Sequence, residues 1–178
     1  TQYMAKCQAD IYSNKFDQVQ SILVYKDGLL VFEEYMEGNK FKSGGQYYYG
    51  DRIQWHRDSL HIIMSVTKSV TSAIVGIAVD QGFIDVIYIE CQQDPLACIL
   101  SHPLVSTPGT SFTYSGGNMI LLGEILRNAT GRDMLDFGTE YLFEPLGIDS
   151  VPWYQFENGV FACDGSAFMT PRDMLKIG

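Results

Sequence analysis

The sequence constrains its architecture most sharply at Lys26-Asp27-Gly28. These residues separate two β-rich runs, Ser21-Ile-Leu-Val-Tyr25 and Leu29-Leu-Val-Phe-Glu-Glu-Tyr-Met36. Asp-Gly suits the tightest hairpin turn, in which both central residues take positive φ so that the turn matches the twist of its strands. Residues 20–36 are therefore expected to form an antiparallel hairpin. Beyond them the hydrophobic period becomes helical. From Ser65 to Asp80, Val66, Val70, Ile74, Ile77 and Ala78 recur along one face, and Gly82 supplies a stop. A hairpin followed mostly by helices reads as an α+β domain, with helices layered against an antiparallel sheet. At 178 residues the chain accommodates one domain, 1–178, and leaves little room for a second.

Other elements follow from the same signals. Tyr3, Met4, Cys7, Ile11 and Tyr12 stripe an opening helix over 1–13. Residues 38–60, rich in Gly, Tyr and charge, read as loop, and 83–93 read weakly as strand. A short helix is expected from Asp94-Pro95, stopping before Pro103. After a turn at Thr107-Pro108-Gly109-Thr110, Asn118 is expected to cap a helix carrying Ile120, Leu121, Ile125 and Leu126, closed by Gly131. Another helix runs from about Asp133 to Phe143, ended by Pro145 and Gly147. Residues 159–169 read as irregular or β, and Thr170-Pro171-Arg172-Asp173 opens a last helix.

Charge and cysteine usage narrow the function classes. Lys and Arg number 12 against 21 Asp and Glu, a formal charge of −9. Such a chain is ill suited to a phosphate backbone or an anionic membrane surface, so no nucleic acid is expected as partner. The longest apolar stretch, Ala73 to Val79, is too short to span a bilayer, and Thr1–Asp10 lacks the pattern of a signal peptide. Four cysteines, Cys7, Cys91, Cys98 and Cys163, are too sparse for a disulfide scaffold. Cys91, Cys98 and His102 match no standard zinc spacing, so buried or free thiols are expected and no metal. Ser43-Gly44-Gly45 is followed by no Gly-Lys-Ser/Thr, so it is no phosphate loop, and no cofactor is expected. The acidic trio Glu33, Glu34 and Glu37 reads as a solvated strand face and end rather than paired catalytic carboxylates. Tyr47-Tyr48-Tyr49 and Trp55 read as a packed aromatic loop sooner than as an acyl pocket.

The candidate chemistry lies at Ser65-Val66-Thr67-Lys68. If Ser65 begins the helix, Lys68 lies one turn on along the same face, so the hydroxyl and the amine can meet. A hydroxyl is a weak nucleophile at neutral pH and needs a base, which a desolvated Lys supplies. The helix start adds backbone N–H groups and positive dipole, which favour an alkoxide and a developing oxyanion. Taken alone, Ser-x-x-Lys also reads as a capping Ser with a solvated Lys, and roughly one chance match is expected in a chain of this size. A second segment, Pro108-Gly-Thr-Ser-Phe-Thr-Tyr114-Ser-Gly116-Gly-Asn118, holds a Tyr just before a helix. A phenol placed near a Lys can shuttle a proton to a leaving group.

Together these segments resemble the serine β-lactamase and penicillin-binding-protein superfamily, in particular the branch of class C β-lactamases, related esterases and D-alanyl carboxypeptidases. The resemblance runs through the hairpin from Ser21, the helix His61-Ile-Ile-Met-Ser65-Val-Thr-Lys68-Ser, the segment Pro108 to Glu124, Phe143-Glu-Pro-Leu-Gly-Ile148, and Met169-Thr-Pro-Arg-Asp-Met-Leu175. It implies a β-lactamase/transpeptidase-like fold and an acyl-enzyme mechanism on an ester, amide or β-lactam carbonyl of a small-molecule or peptide substrate. Ser65 would attack, Lys68 would take its proton, Tyr114 would assist, and the backbone N–H of Ser65 would form half of an oxyanion hole. A penicillin-binding sensor, or a non-catalytic relative kept for interaction, would share the motifs. The resemblance also suggests a periplasmic or extracellular setting.

The chain departs from the pattern in three places. Many members carry Asn two residues after the Tyr, where Gly116 stands here; Asn118, two further on, is the other candidate for the substrate side of the site. No Lys-Thr-Gly or His-x-Gly occurs, so the strand that completes the oxyanion hole and sheet is expected to be absent from this partial chain. A second chain or a missing segment would then complete the sheet. The stretch from Lys68 to Tyr114 is also short for the family.

Overall fold

The computed structural model describes residues 2–13, 19–44, 49–83, 107, 110, 114–156 and 159–178. They belong to two compact units, Thr1–His61 with Met169–Gly178, and Ile62–Phe168. The expected elements within 84–106 lie outside the described residues.

The first unit holds helix α1 (Gln2–Tyr12) and strands β1 (Ser21–Lys26) and β2 (Leu29–Tyr35). The strands pair antiparallel from Lys26 opposite Leu29 to Ser21 opposite Tyr35, with a bulge at Val24/Tyr25. Asp27 and Gly28 turn the chain at φ 52° and 79°, the conformation for which this dipeptide was read. Gln8 and Tyr12 of α1 donate to the Glu34 carboxylate at 3.0 and 2.9 Å. The last helix, α5 (Pro171–Ile177), packs against β1. It starts as its sequence predicts: Pro171 takes the first position and the Thr170 hydroxyl accepts the Asp173 N–H at 3.1 Å.

Glu33 differs from the solvated residue expected of the acidic trio. Arg172 donates to both of its oxygens, each at 2.6 Å, and the Tyr35 hydroxyl donates to it as well. Hydrogen bonds from Arg172 and then Tyr35 hold the Glu33 carboxyl down at about 2. Spacing in sequence cannot reveal a partner 139 residues away.

Residues 38–60 are likewise not all loop. Strands β3 (Glu37–Phe41) and β4 (Tyr49–Gln54) form a second antiparallel hairpin, from Glu37 opposite Gln54 to Phe41 opposite Tyr49. Polar side chains on both faces hide its period of two. A Cβ on Gly38 would come within 2.9 Å of Gln20 Cγ and 3.0 Å of Trp55 Nε1, so the glycine marks a close approach rather than a loop. Trp55 is buried and stacks on His61 with ring centroids 3.9 Å apart, in keeping with a packed aromatic. Tyr49 opens β4, exposed, while Tyr47 and Tyr48 lie outside the described residues.

In the second unit a 3₁₀ turn, Met64–Val66, runs into α2 (Thr67–Asp80). Helix α3 (Gly116–Thr130) and the short α4 (Met134–Gly138), continued by a π-helical turn at Thr139–Phe143, pack with α2. The buried face of α2 is Thr67, Val70, Thr71, Ile74 and Ala78; of the predicted stripe Val70, Ile74 and Ala78 are buried, Ile77 is half-buried and Val66 is exposed, while Thr67 and Thr71 are polar additions to it. It meets Leu126, Met134, Phe137 and Phe143 in one core. Ile74 Cδ1 would lie 2.7 Å from a Cβ on Gly138, so α2 and α4 touch where a side chain is lacking. The Asp133 carboxylate caps α4 by accepting the Asp136 N–H at 2.8 Å.

Helix α3 corrects one expectation. Its cap position is Ser115, in extended backbone, and Asn118 is already the third helical residue. The helix reaches back over Gly116 and Gly117 because nothing projects there: a Cβ on Gly116 would fall 2.6 Å from Asp164 Oδ2. Its other end is as read, with Gly131 left-handed at φ 73°.

Candidate active site

All of the site's described residues belong to the second unit. Met64 precedes Ser65 with φ 46°, a left-handed backbone on a residue with a full side chain, which bends the chain sharply into the helix start. Ser65 is exposed there. One turn on, Lys68 Nζ donates to Ser65 Oγ at 3.3 Å and to the backbone carbonyl oxygen of Asp164. The same Nζ stands 5.0 Å from the centre of the Tyr114 ring. Hydrogen bonding with Ser65, then with Lys68, pulls the exposed Tyr114 phenol below its usual pKa, with the Lys68 charge adding to the effect and the Asp164 charge opposing it.

A turn over residues 162–167 fixes the far side of Lys68. Thr71 Oγ1 donates to the Cys163 carbonyl at 2.9 Å, and the Ala167 N–H donates to Thr67 Oγ1 at 3.4 Å. Ser166 turns the chain at φ 68° between these anchors. Trp153 Nε1 donates to the Ala162 carbonyl at 3.0 Å from the other side. Thus Thr67, Lys68 and Thr71, three polar positions in the first turns of α2, all bind one segment. Cys163 is buried, its thiol pushed up to about 12 chiefly by desolvation, so it stays a protonated packing group beneath the site.

Of the residues singled out by sequence, Ser65, Lys68 and Tyr114 are brought together, and Gly116 abuts the same turn through Asp164. Asn118 is exposed on α3 and forms no hydrogen bond to that cluster. The sequence reading missed Asp164, the partner of Lys68. Among the described residues no group of three or more His, Cys, Asp or Glu is arranged to hold a metal ion. Cys7 is half-buried and free, and Cys91, Cys98 and His102 lie outside the described residues. No helix among the described residues is long and apolar enough to cross a membrane.

A hydroxyl, an amine in contact with it and a phenol of lowered pKa form a set suited to proton transfer at an attacking oxygen. The fold around the set is of β-lactamase/transpeptidase type. A SurE crystal structure with D-Leu aligns with TM-score 0.71 at 19% identity, over 97% of this chain and 50% of that one. A penicillin binding protein from Bacillus halodurans aligns with TM-score 0.68 at 14% identity, over 95% and 72%. The D-alanine carboxypeptidase AmpC from Burkholderia cenocepacia aligns with TM-score 0.61 at 17% identity, over 88% and 56%. The chain thus spans about half the length of most of the solved structures it matches. No curated protein matches it significantly. The Beta-lactamase family profile matches residues 88–178, just over half of the chain, and the protein belongs to that family. The matched stretch includes Tyr114 and the 162–167 turn; Ser65 and Lys68 precede it.

Proposed function

We propose that the protein is a serine hydrolase that works through an acyl-enzyme at Ser65. The observation that carries this reading is the 3.3 Å contact from Lys68 Nζ to Ser65 Oγ at a helix start, with the Tyr114 ring 5.0 Å from the same amine. Lys68 would take the Ser65 proton as Oγ attacks a carbonyl carbon. Tyr114, whose lowered pKa makes its phenolate form more accessible than that of an ordinary phenol, would relay that proton to the leaving group. The Ser65 N–H would stabilise the oxyanion, aided by the positive end of α2. Water would then release the acyl group and restore the hydroxyl.

Family membership and the penicillin-binding and carboxypeptidase neighbours support an ester, amide or β-lactam carbonyl as the target. A fluorescent fluorophosphonate and a fluorescent penicillin test the reading. Labelling of the wild type that disappears in Ser65→Ala is expected. Equal labelling of the two proteins, or none in the wild type, refutes it. A penicillin adduct that persists for hours without product would move the assignment to a penicillin-binding sensor.

A further inference from the structure

The core face of α2 carries two hydroxyls. Thr67 and Thr71 are fully buried alongside Val70, Ile74 and Ala78, where an apolar side chain would extend the stripe. A threonine inside a helix can return its hydroxyl proton to a backbone carbonyl one turn earlier. Thr71 instead donates to the Cys163 carbonyl at 2.9 Å, 92 residues further along the chain. Thr67, one turn before it on the same face, accepts the Ala167 N–H at 3.4 Å. Between these two anchors lies the Asp164 carbonyl that receives Lys68 Nζ. That carbonyl is aimed by its own peptide unit. The Gly165 N–H points opposite to it in the same plane and donates to the Ala162 carbonyl at 3.1 Å. Trp153 Nε1 donates to the same Ala162 oxygen at 3.0 Å.

We infer that Thr71 is a positioning residue for acylation at Ser65: its hydroxyl holds the 162–165 turn so that the Asp164 carbonyl directs the Lys68 amine at Oγ. The inference rests on the proposed active site. Lys68 Nζ meets an oriented, uncharged acceptor on one side and Ser65 Oγ at 3.3 Å on the other. The Thr71 hydroxyl is engaged by Cys163, so it acts on Ser65 through that turn and the amine. An amine displaced by about 1 Å from its line to Oγ loses up to about a hundredfold in rate, while binding of the substrate is untouched.

The test measures the acylation rate at saturating fluorophosphonate, and the half-saturating concentration, in wild type, Thr71→Val, Thr71→Ser and Ile74→Val. Thr71→Val keeps the shape without the donor, and Thr71→Ser keeps the donor. Ile74→Val trims a buried neighbour that faces Gly138 rather than the turn, and so controls for lost stability alone. Thr71→Val is expected to acylate about tenfold or more slowly at an unchanged half-saturating concentration. Thr71→Ser and Ile74→Val are expected to stay near the wild-type rate. In a Lys68→Ala background, Thr71→Val is expected to slow the residual reaction no further, because the amine it serves is gone. A wild-type rate in Thr71→Val, equal slowing in Ile74→Val, or full slowing on top of Lys68→Ala overturns the inference. If Thr71→Val fails to fold, Thr71→Ala read against Thr71→Ser, which differ only by the hydroxyl, decides in its place. A wild type that takes no label, or a Lys68→Ala protein that labels at the wild-type rate, strikes the acyl-enzyme reading itself.

Discussion

Replacing Glu33 with Gln removes the charge that ties α5 to the first hairpin while preserving shape. The two 2.6 Å contacts to the Arg172 fork, with the Tyr35 hydroxyl, hold the carboxyl at about 2 against a reference of 4.5. Each pKa unit is worth about 1.4 kcal/mol, so the charge contributes at most about 3.4 kcal/mol. The Glu33 side chain is 21% exposed and that of Arg172 43%, so solvent screening lowers the expectation to about 1–2 kcal/mol. The sign follows from the depressed value. The stabilisation is complete above the unfolded pKa near 4.5 and is lost as pH falls through that value toward 2. Urea unfolding of wild type and Glu33→Gln at pH 7, 5, 4 and 3 reads this directly. A difference of about 1–2 kcal/mol at pH 7 that shrinks steadily below pH 4.5 is expected. A difference that is absent at pH 7, or that stays constant down to pH 3, would refute the reasoning.

Three further outcomes follow. Thr71→Val keeps the shape of the side chain but leaves the Cys163 carbonyl without its 2.9 Å donor; a loss of about 1–3 kcal/mol in urea unfolding is expected, and no loss would show that the turn is not held from α2. Gly116→Ala sets a Cβ 2.6 Å from Asp164 Oδ2 and 3.2 Å from its Cβ and Cγ, so the turn must shift; slower labelling of Ser65 is expected, with a stability cost of about 1–3 kcal/mol, and wild-type behaviour in both readouts would contradict the tight contact. Because the Tyr114 phenol is lowered, Ser65 acylation should rise with pH through an ionisation below that of a free phenol. Tyr114→Phe should remove that limb, and an unchanged profile would separate Tyr114 from the proton path.

What could be read beforehand was what is local. Asp27-Gly28 names its turn, the α2 stripe names the apolar part of its buried face at Val70, Ile74 and Ala78, and Ser65 with Lys68 is a one-turn pair whose meeting depends only on the helix forming. Tyr114 became legible through resemblance, since no rule of spacing joins it to Lys68. The second hairpin was hidden because Asn39, Lys40, Asp51 and Arg52 give it no apolar face, and Gly38, an apparent breaker, is a packing requirement against Trp55. Asp164 was hidden for a different reason. It holds Lys68 through a backbone carbonyl 96 residues away, and a carbonyl carries no residue identity to read. Asn118 reads as the cap because its side chain favours that position, whereas the glycines let the helix begin earlier against Asp164.

The central claim is that Lys68 activates Ser65, and the acylation rate of Ser65→Ala, Lys68→Ala and wild-type protein by one fluorophosphonate tests it most directly. Wild type should form a single adduct on the peptide containing Ser65. Lys68→Ala should fold normally by circular dichroism and acylate slower by orders of magnitude, as expected when a general base is lost. A Lys68→Ala protein that acylates at the wild-type rate would contradict the account.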